Sequence, residues 1–381
     1  MQIDVDKPIP KYLQLKDIII QYFDNEHYVA DQKIPSENEL VERFQVSRNT
    51  VRQALGELDN EGIIYKKQGL GTFFSGLAST KKLSYLIGVI SPRISYYIYP
   101  QIIRGIDEVA HRKRYNIVLG NSYADYAKEV MYLEQLLEKH IDGLLFEPVG
   151  GFERFEESPI FRVLNDLTIP FVFMDWWFDN PNLSCVAVDD AEGGFRATQY
   201  LIQAGHRRIA CLYPRDKLPG NLRYQGYRKA LEQHEVPCNE QLLRTTTSQE
   251  WDAADVIEEH VRQLLALGPE RPTAIFLFND DAALRACNAI RNAGLRVPED
   301  ISLIGFDNSE QAASADVPLT TMSHPKHKVG AWAAEILFDH IEAGTRCNPR
   351  KMLITPIVVE RRSVKFLRSA KRSSHSNAVG Q

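Results

Sequence analysis

The sequence predicts a mixed α/β protein in two parts. A small winged helix-turn-helix comes first, and an α/β region large enough for two lobes follows. Three observations predict this. Residues 45–55 read as a turn, a capping serine and a helix with one aliphatic face and one arginine-bearing face. Beyond about residue 85, strand-like apolar runs alternate with amphipathic helices, which implies parallel sheets wrapped by helices. The 381 residues, 44% hydrophobic and 25% charged, supply enough core for two or three domains.

In the first part, Tyr12, Leu15, Ile18, Ile19 and Tyr22 recur at helical spacing within residues 11–25. Ser36-Glu37-Asn38-Glu39 has the form of a capping box, and a second helix runs from it to about Phe44, burying Leu40, Val41 and Phe44. Ser47 caps a third helix that ends near Gly62. It hides Val51, Leu55 and Leu58 and presents Arg48, Asn49, Arg52 and Gln53. Two short β segments, 63–66 and 72–75, flank Lys67-Gln68-Gly69-Leu70-Gly71, where glycine permits positive φ.

A helix with arginines near its N-terminus suits a DNA major groove: Arg pairs bidentately with guanine and Asn with adenine, while Thr50 and the helix-start amides suit phosphate. The plain alternative is a small helical bundle with a solvated basic face. The capping box, the Val-Ser-Arg turn, the paired arginines and the glycine wing together weigh against it. Bulk charge does not announce a nucleic-acid binder, because the net charge is −5 and the first 76 residues hold nine Lys/Arg against twelve Asp/Glu. Pattern matters more. Residues 43–56 carry only Arg43, Arg48 and Arg52 as charges, and residues 62–84 only Lys66, Lys67, Lys81 and Lys82.

Residues 77–84 read as a short polar linker. After it, strands are expected at 85–90, 116–119, 143–146, 170–174, 209–212, 274–278 and 301–306. Helices are expected near 100–113, 127–139, 191–204, 223–234, 254–267, 281–293 and 326–343. Ligands of such sheets sit beyond the carboxyl ends of strands. There the sequence gathers the carboxylates Glu147, Asp175, Asp280 or Asp281, and Asp307. It also gathers the aromatics Tyr96, Tyr97, Tyr99, Trp176, Trp177 and Phe178, with Arg223 just after one loop. Acceptors for hydroxyl protons, a guanidinium donor and flat apolar faces fit a sugar. The competing reading makes Asp280 and Asp189 or Asp190 helix caps and the tryptophans plain packing.

No apolar run approaches the ~20 residues of a membrane span, and the first eleven residues lack a secretory signal, so a cytoplasmic location is expected. Cys185, Cys211, Cys238, Cys287 and Cys347 have neither disulfide-framework nor zinc spacing, and no metal is expected. Residues 364–381 are basic and Ser-rich and are expected to be disordered.

Ile34-Pro35-Ser36-Glu37, Val46-Ser47-Arg48-Asn49-Thr50-Val51-Arg52-Gln53-Ala54-Leu55 and Gly69-Leu70-Gly71-Thr72-Phe73 resemble the GntR-type winged helix over residues 8–76. The resemblance implies DNA contacts from Lys11, Ser36, Glu37, Arg48, Asn49, Thr50, Arg52 and Gln53, and from Gln68, Gly69 and Gly71 of the wing. Ile141-Asp142-Gly143-Leu144-Leu145, Gly205-His206-Arg207-Arg208-Ile209, Phe278-Asn279-Asp280 and Val297-Pro298-Glu299-Asp300-Ile301 resemble the LacI/GalR sensor domain over residues 85–363. That resemblance implies a two-lobed periplasmic-binding-protein-like α/β sensor domain, with the chain crossing between lobes three times. The effector candidates are Tyr96, Tyr97, Tyr99, Glu147, Asp175, Trp176, Arg223, Asn279, Asp280 and Asp307.

LacI/GalR proteins carry their own helix-turn-helix, and a GntR-type reader stands in its place here. That pairing, with residues 96–106 and 140–148, resembles the arabinose-responsive repressors of Bacillus-type bacteria. It implies a homodimeric repressor on double-stranded operator DNA with two-fold related half-sites, released by a sugar effector, L-arabinose, with no cofactor and no enzymatic activity. The alternatives are a regulator responding to another sugar or a nucleoside, and a cytoplasmic sugar-binding module. A GntR fusion to an aminotransferase-like, pyridoxal-phosphate domain needs a Schiff-base lysine, and lysine is scarce at these strand ends.

Overall fold

Ser36 and Ser47 set the geometry of the N-terminal domain. In the computed structural model, which describes residues 10–75, 83–149, 158–177, 180–251, 253, 255–343 and 348–367, each serine is the N-cap of a helix. Most of the expected linker (77–82, with Lys81 and Lys82), Phe178, Cys347 and residues 368–381 of the tail lie outside the described residues.

Helix α1 spans Lys11–Asn25, α2 Glu37–Phe44 and α3 Arg48–Asn60. The box at Ser36 is complete: its N–H donates to Glu39 Oε2 at 2.7 Å and Glu39 N–H donates back to Ser36 Oγ at 3.4 Å. Ser47 Oγ accepts from Thr50 N–H at 3.1 Å. Between the two helices Gln45 turns the chain in the left-handed region, at φ 54. Leu15, Ile19 and Phe23 of α1, Leu40 of α2, and Val51, Leu55 and Leu58 of α3 form one core with Ile63 and Ile64. Strands β1 (Ile64–Lys67) and β2 (Gly71–Phe74) pair antiparallel with Lys67 opposite Gly71, so 68–70 form the wing tip.

The first lobe of the larger part runs through β3 (Leu86–Ser91), α4 (Tyr99–Arg112), β4 (Asn116–Asn121), α5 (Tyr126–Glu138), β5 (Gly143–Phe146), α6 (Pro159–Asn165), β6 (Phe171–Met174) and β7 (Cys185–Val188). The chain then crosses to the second lobe, with α7 (Asp190–Gln203), β8 (Ile209–Pro214), α8 (Leu218–Gln233), β9 (Leu243–Thr246), α9 (Ser248–Trp251), α10 (Val256–Leu265) and β10 (Ala274–Leu277). It continues there with α11 (Asp280–Asn292), β11 (Ser302–Asp307), α12 (Glu310–Ser314) and β12 (Thr320–Ser323). Helix α13 (Lys326–Ala343) and β13 (Lys351–Ile354) return to the first lobe, and β14 (Val358–Val359) goes back to the second.

The first sheet has order β13-β7-β6-β5-β3-β4 and is parallel throughout. The second has order β14-β12-β11-β10-β8-β9, parallel except for β14. The three crossings implied by the family resemblance are therefore present. In each sheet the order reverses, at β3/β5 and at β8/β10, where an open α/β sheet leaves a crevice beyond its strand ends.

Several expectations need correction. Twelve strands, not seven, build the two lobes among the described residues. The additions β7, β9, β12, β13 and β14 are two to four residues long, and β9 and β12 lack the apolar run that marks the equally short β5, β6 and β10. Helix α8 begins at Leu218, with Pro219 in its first turn, rather than at 223, so Arg223 lies within it. The tail does not loosen at residue 364. Val364 is buried, Lys365 N–H donates to Ser302 Oγ at 2.9 Å, and Leu367 N–H donates to Ala204 O at 2.7 Å.

Candidate nucleic-acid interface and effector cleft

On α3 the apolar residues face the core, and Arg48, Asn49, Arg52 and Gln53 are exposed along the other side. Glu37 at the start of α2 stands between the two arginines: its Oε2 lies 3.4 Å from Arg48 Nε and 3.5 Å from Arg52 Nη2. One carboxylate thus gathers two guanidiniums side by side on the exposed face. Thr50 Oγ1 is 2.7 Å from Ser47 Oγ at the helix N-terminus, beside amides that suit phosphate. In the wing, Gly69 (φ 74) and Gly71 (φ 117) occupy conformations that side chains resist, leaving Gln68, Gly69 and Leu70 exposed. A Cβ on Gly71 would also lie 2.7 Å from Lys33 Cε. Lys11 is exposed at the start of α1, and Ser36 is occupied as a cap through both its hydroxyl and its backbone N–H.

Between the lobes lies a cleft of about 1210 Å³ counted to its open mouth, lined by the loops after β3, β5, β6, β8, β9, β10 and β11. Nine of the ten predicted effector residues line it: Tyr96, Tyr97, Tyr99, Glu147, Asp175, Trp176, Arg223, Asn279 and Asp307. The exception is Asp280. Its carboxylate is fully buried beneath the wall, where Oδ2 accepts from Ser309 N–H at 2.7 Å and Oδ1 from Thr321 Oγ1 at 2.6 Å. Gly305 makes the room, since a Cβ there would sit 2.2 Å from Asp280 Oδ1. Nor is Asp280 the cap: Asn279 caps α11 by accepting from Ala282 N–H at 2.9 Å. Asp189 caps α7, while Asp190 is buried against Arg223.

The first lobe supplies a carboxylate already dressed with hydroxyls. Glu147 accepts from Tyr99 Oη at 2.9 Å and from Ser91 Oγ at 3.0 Å. Burial, then the neighbouring charge of Asp175, pushes the Glu147 carboxyl well above the usual carboxylate range. Asp175, at φ 53 on the end of β6, is 2.8 Å from His324 Nε2. Burial draws the His324 pKa down, but Asp175 and its hydrogen bond outweigh it and leave the pKa raised. Trp176 lines the cleft and also packs on Phe173 with ring centroids 5.0 Å apart, so both readings of it hold.

The second lobe supplies Arg223, whose side chain is fixed on every side. Nε donates to Asp190 Oδ1 at 2.7 Å and Nη1 to Phe278 O at 2.5 Å; Cζ lies 3.6 Å over the Phe306 ring, and Nη2 is 3.6 Å from Asp307 Oδ1. That oxygen is buried and has no hydrogen-bond partner among the described residues. Asp307 (φ 97) and Asn308 (φ 49) are consecutive left-handed non-glycines. Lys326 Nζ, which donates to both of their carbonyls, holds them there. Sequence reasoning missed Ser248 and Trp251 of the cleft, because they follow the polar edge strand β9, and His324, which bonds Asp175 from behind, because it follows the polar strand β12.

The comparisons with known proteins agree with this architecture. Residues 11–74 match the family of bacterial regulatory proteins of the gntR type, and 198–364 match the periplasmic binding protein-like domain. The arabinose metabolism transcriptional repressor of Geobacillus stearothermophilus is 38% identical over 363 residues, spanning 94% of this chain and 99% of that one. The transcriptional repressor PurR of Vibrio atlanticus is 34% identical over 282 residues, 74% of this chain and 81% of its own. Among solved structures, the regulator CelR in complex with cellobiose superposes with a TM-score of 0.65 at 25% identity, covering 84% and 92% of the two chains. CcpA of Lactococcus lactis gives 0.65 at 26% identity, covering 74% and 99%.

Reader and cleft together define a ligand-responsive transcriptional repressor. The chain belongs to the family of bacterial repressors that join a GntR-type winged helix to a periplasmic-binding-protein-like sensor, that of the Geobacillus stearothermophilus relative. Among the described residues no helix is long and apolar enough to cross a membrane.

Proposed function

We propose that the protein is a cytoplasmic, homodimeric repressor whose operator binding is relieved by L-arabinose, and that it catalyses no reaction and needs no cofactor. The observation that carries this reading is the 38% identity to an arabinose metabolism repressor across reader and sensor alike, where the PurR relatives align over about three quarters of the chain. The cleft chemistry supports a small polyol. Glu147, Asp175 and Asp307 accept hydroxyl protons, Arg223 donates, and Trp176, Trp251 and Phe278 offer apolar faces to C–H groups.

On DNA, Arg48, Asn49, Arg52 and Gln53 read the major groove, Lys11 and Thr50 hold phosphate, and Gln68–Gly71 enters the minor groove. Two readers in a two-fold dimer then fit a two-fold operator.

The test is calorimetry of the full chain against pentoses, hexoses and nucleosides, paired with operator retention in a mobility-shift assay. L-arabinose is expected to bind best and to release operator. A nucleoside or hexose binding best instead, or operator affinity unchanged at saturating arabinose, overturns the assignment. Arg52→Ala serves as the reader control, with an expected loss of about 1–3 kcal/mol of discrimination.

A further inference from the structure

Tyr97 belongs to the first lobe but spends its hydroxyl on the second. It sits in the loop between β3 and α4 at φ 63, a conformation that costs a tyrosine on the order of 1 kcal/mol or more. Its Oη donates to Asp307 Oδ2 at 2.7 Å and accepts from the backbone N–H of Asp280 at 3.1 Å. Both partners are at the rim of the second sheet. The Asp280 amide is the first of α11, one of the donors that every helix leaves without an internal acceptor. Asn279 satisfies the Ala282 amide of that turn, and Tyr97 satisfies the Asp280 amide from across the cleft.

We propose that Tyr97 is a latch between the lobes and a positioning residue for Asp307, rather than a contact for the effector itself. These bonds, and a longer one to Phe306 O at 3.4 Å, all run from protein to protein, so they hold the lobes together without a ligand between them. The bond to Oδ2 also fixes the rotation of the Asp307 carboxylate. Oδ1 then stays buried with no hydrogen-bond partner among the described residues, 3.6 Å from Arg223 Nη2, and the carboxylate keeps one fixed face toward the cleft it lines. The strained backbone at Tyr97 and at Asp307 (φ 97) is held in part by this shared bond, which is why the latch lies at the two strand ends that face each other. The proposal deepens the reading of the cleft as the effector site and rests on it for the role of Asp307.

Tyr97→Phe keeps the ring and deletes these bonds. Hydrogen exchange on the full chain without sugar is expected to show the Asp280 amide losing protection in the variant, by about tenfold or more for a bond of ordinary strength. Calorimetry is expected to show L-arabinose affinity falling by a similar factor, while the melting temperature without sugar changes by only a few degrees. Unchanged protection at Asp280 overturns the latch, and unchanged sugar affinity overturns the positioning of Asp307. If the variant does not fold, exchange in the wild type decides: an Asp280 amide exchanging as fast as free peptide overturns the proposal, and a protected one supports it. Failure of the wild type to bind L-arabinose marks the effector assignment as wrong and leaves the sugar-free exchange test standing.

Discussion

Single side chains show how burial sets behaviour here. Glu129 of α5 is fully buried; one carboxylate oxygen accepts from Val149 N–H at 2.7 Å, and the other has no hydrogen-bond partner among the described residues. Burial pushes its pKa from 4.5 up to about 7, against the opposing pull of the Val149 bond. The folded state therefore keeps a proton that the unfolded state releases. The associated stability is fully present below about pH 4.5 and drains away as pH rises through about 7, by at most ~1.4 kcal/mol per pH unit. Glu129→Gln is expected to flatten the fall in melting temperature between pH 5 and pH 8. A variant that tracks the wild type over that range would remove Glu129 as the cause.

Between elements, glycine sets the distance. Helices α7 and α8 touch where a Cβ on Gly194 would lie 2.0 Å from Arg223 O and one on Gly226 would lie 2.0 Å from Ala191 O. Helices α4 and α13 meet in the same way, through Gly105 against His327 O and Gly330 against Ile102 O. Gly226→Ala is expected to force α7 and α8 apart, costing about 3 kcal/mol or more, and to carry Arg223 away from Asp190. Thermal melting should drop by many degrees and sugar affinity should fall with it; a normal melt would show that the seam can give.

Such seams were not anticipated from the sequence, but most of the sensor's long helices and inner strands were, because long apolar periods leave few alternatives. Helix α13 falls at 326–343 as expected, and β5 at 143–146. The edge strands were not legible. Lys351–Ile354 and Val358–Val359 carry half-exposed side chains in stretches too short for any period, and tertiary pairing alone makes them strands. The site divides along the same line. Residues on loops after apolar strands such as β5, β6 and β10 were found, while Trp251 and His324, which follow the more polar strands β9 and β12, were not. Asp280 was misjudged because a carboxylate at a helix start looks alike in sequence whether it faces solvent, a ligand or, as here, Ser309 and Thr321.

Once reader and sensor act as one switch, their energetics are bound together. If sugar weakens operator binding by some factor, operator must weaken sugar binding by that same factor. Calorimetric titration of L-arabinose into free protein and into the operator complex should therefore return a ratio equal to the ratio of operator affinities measured with and without saturating sugar. Unequal ratios would point to a second sugar site or to a change in subunit association between the assays. The acidic balance of the first 76 residues adds a condition: the release must be read at moderate salt, where a few placed arginines rather than bulk charge hold the DNA.

The last crossing between lobes has a consequence for the order in which a ribosome delivers this protein. Strand β13 closes the edge of one sheet against β7, and β14, beginning four residues after it ends, closes the edge of the other against β12. The DNA reader, at residues 11–74, has emerged long before either strand is made. During synthesis there is thus an interval in which the reader is complete and its control is not. Any chain broken off before Lys351 would lose an edge strand from both lobes in one stroke, while the residues of the reader would all be present.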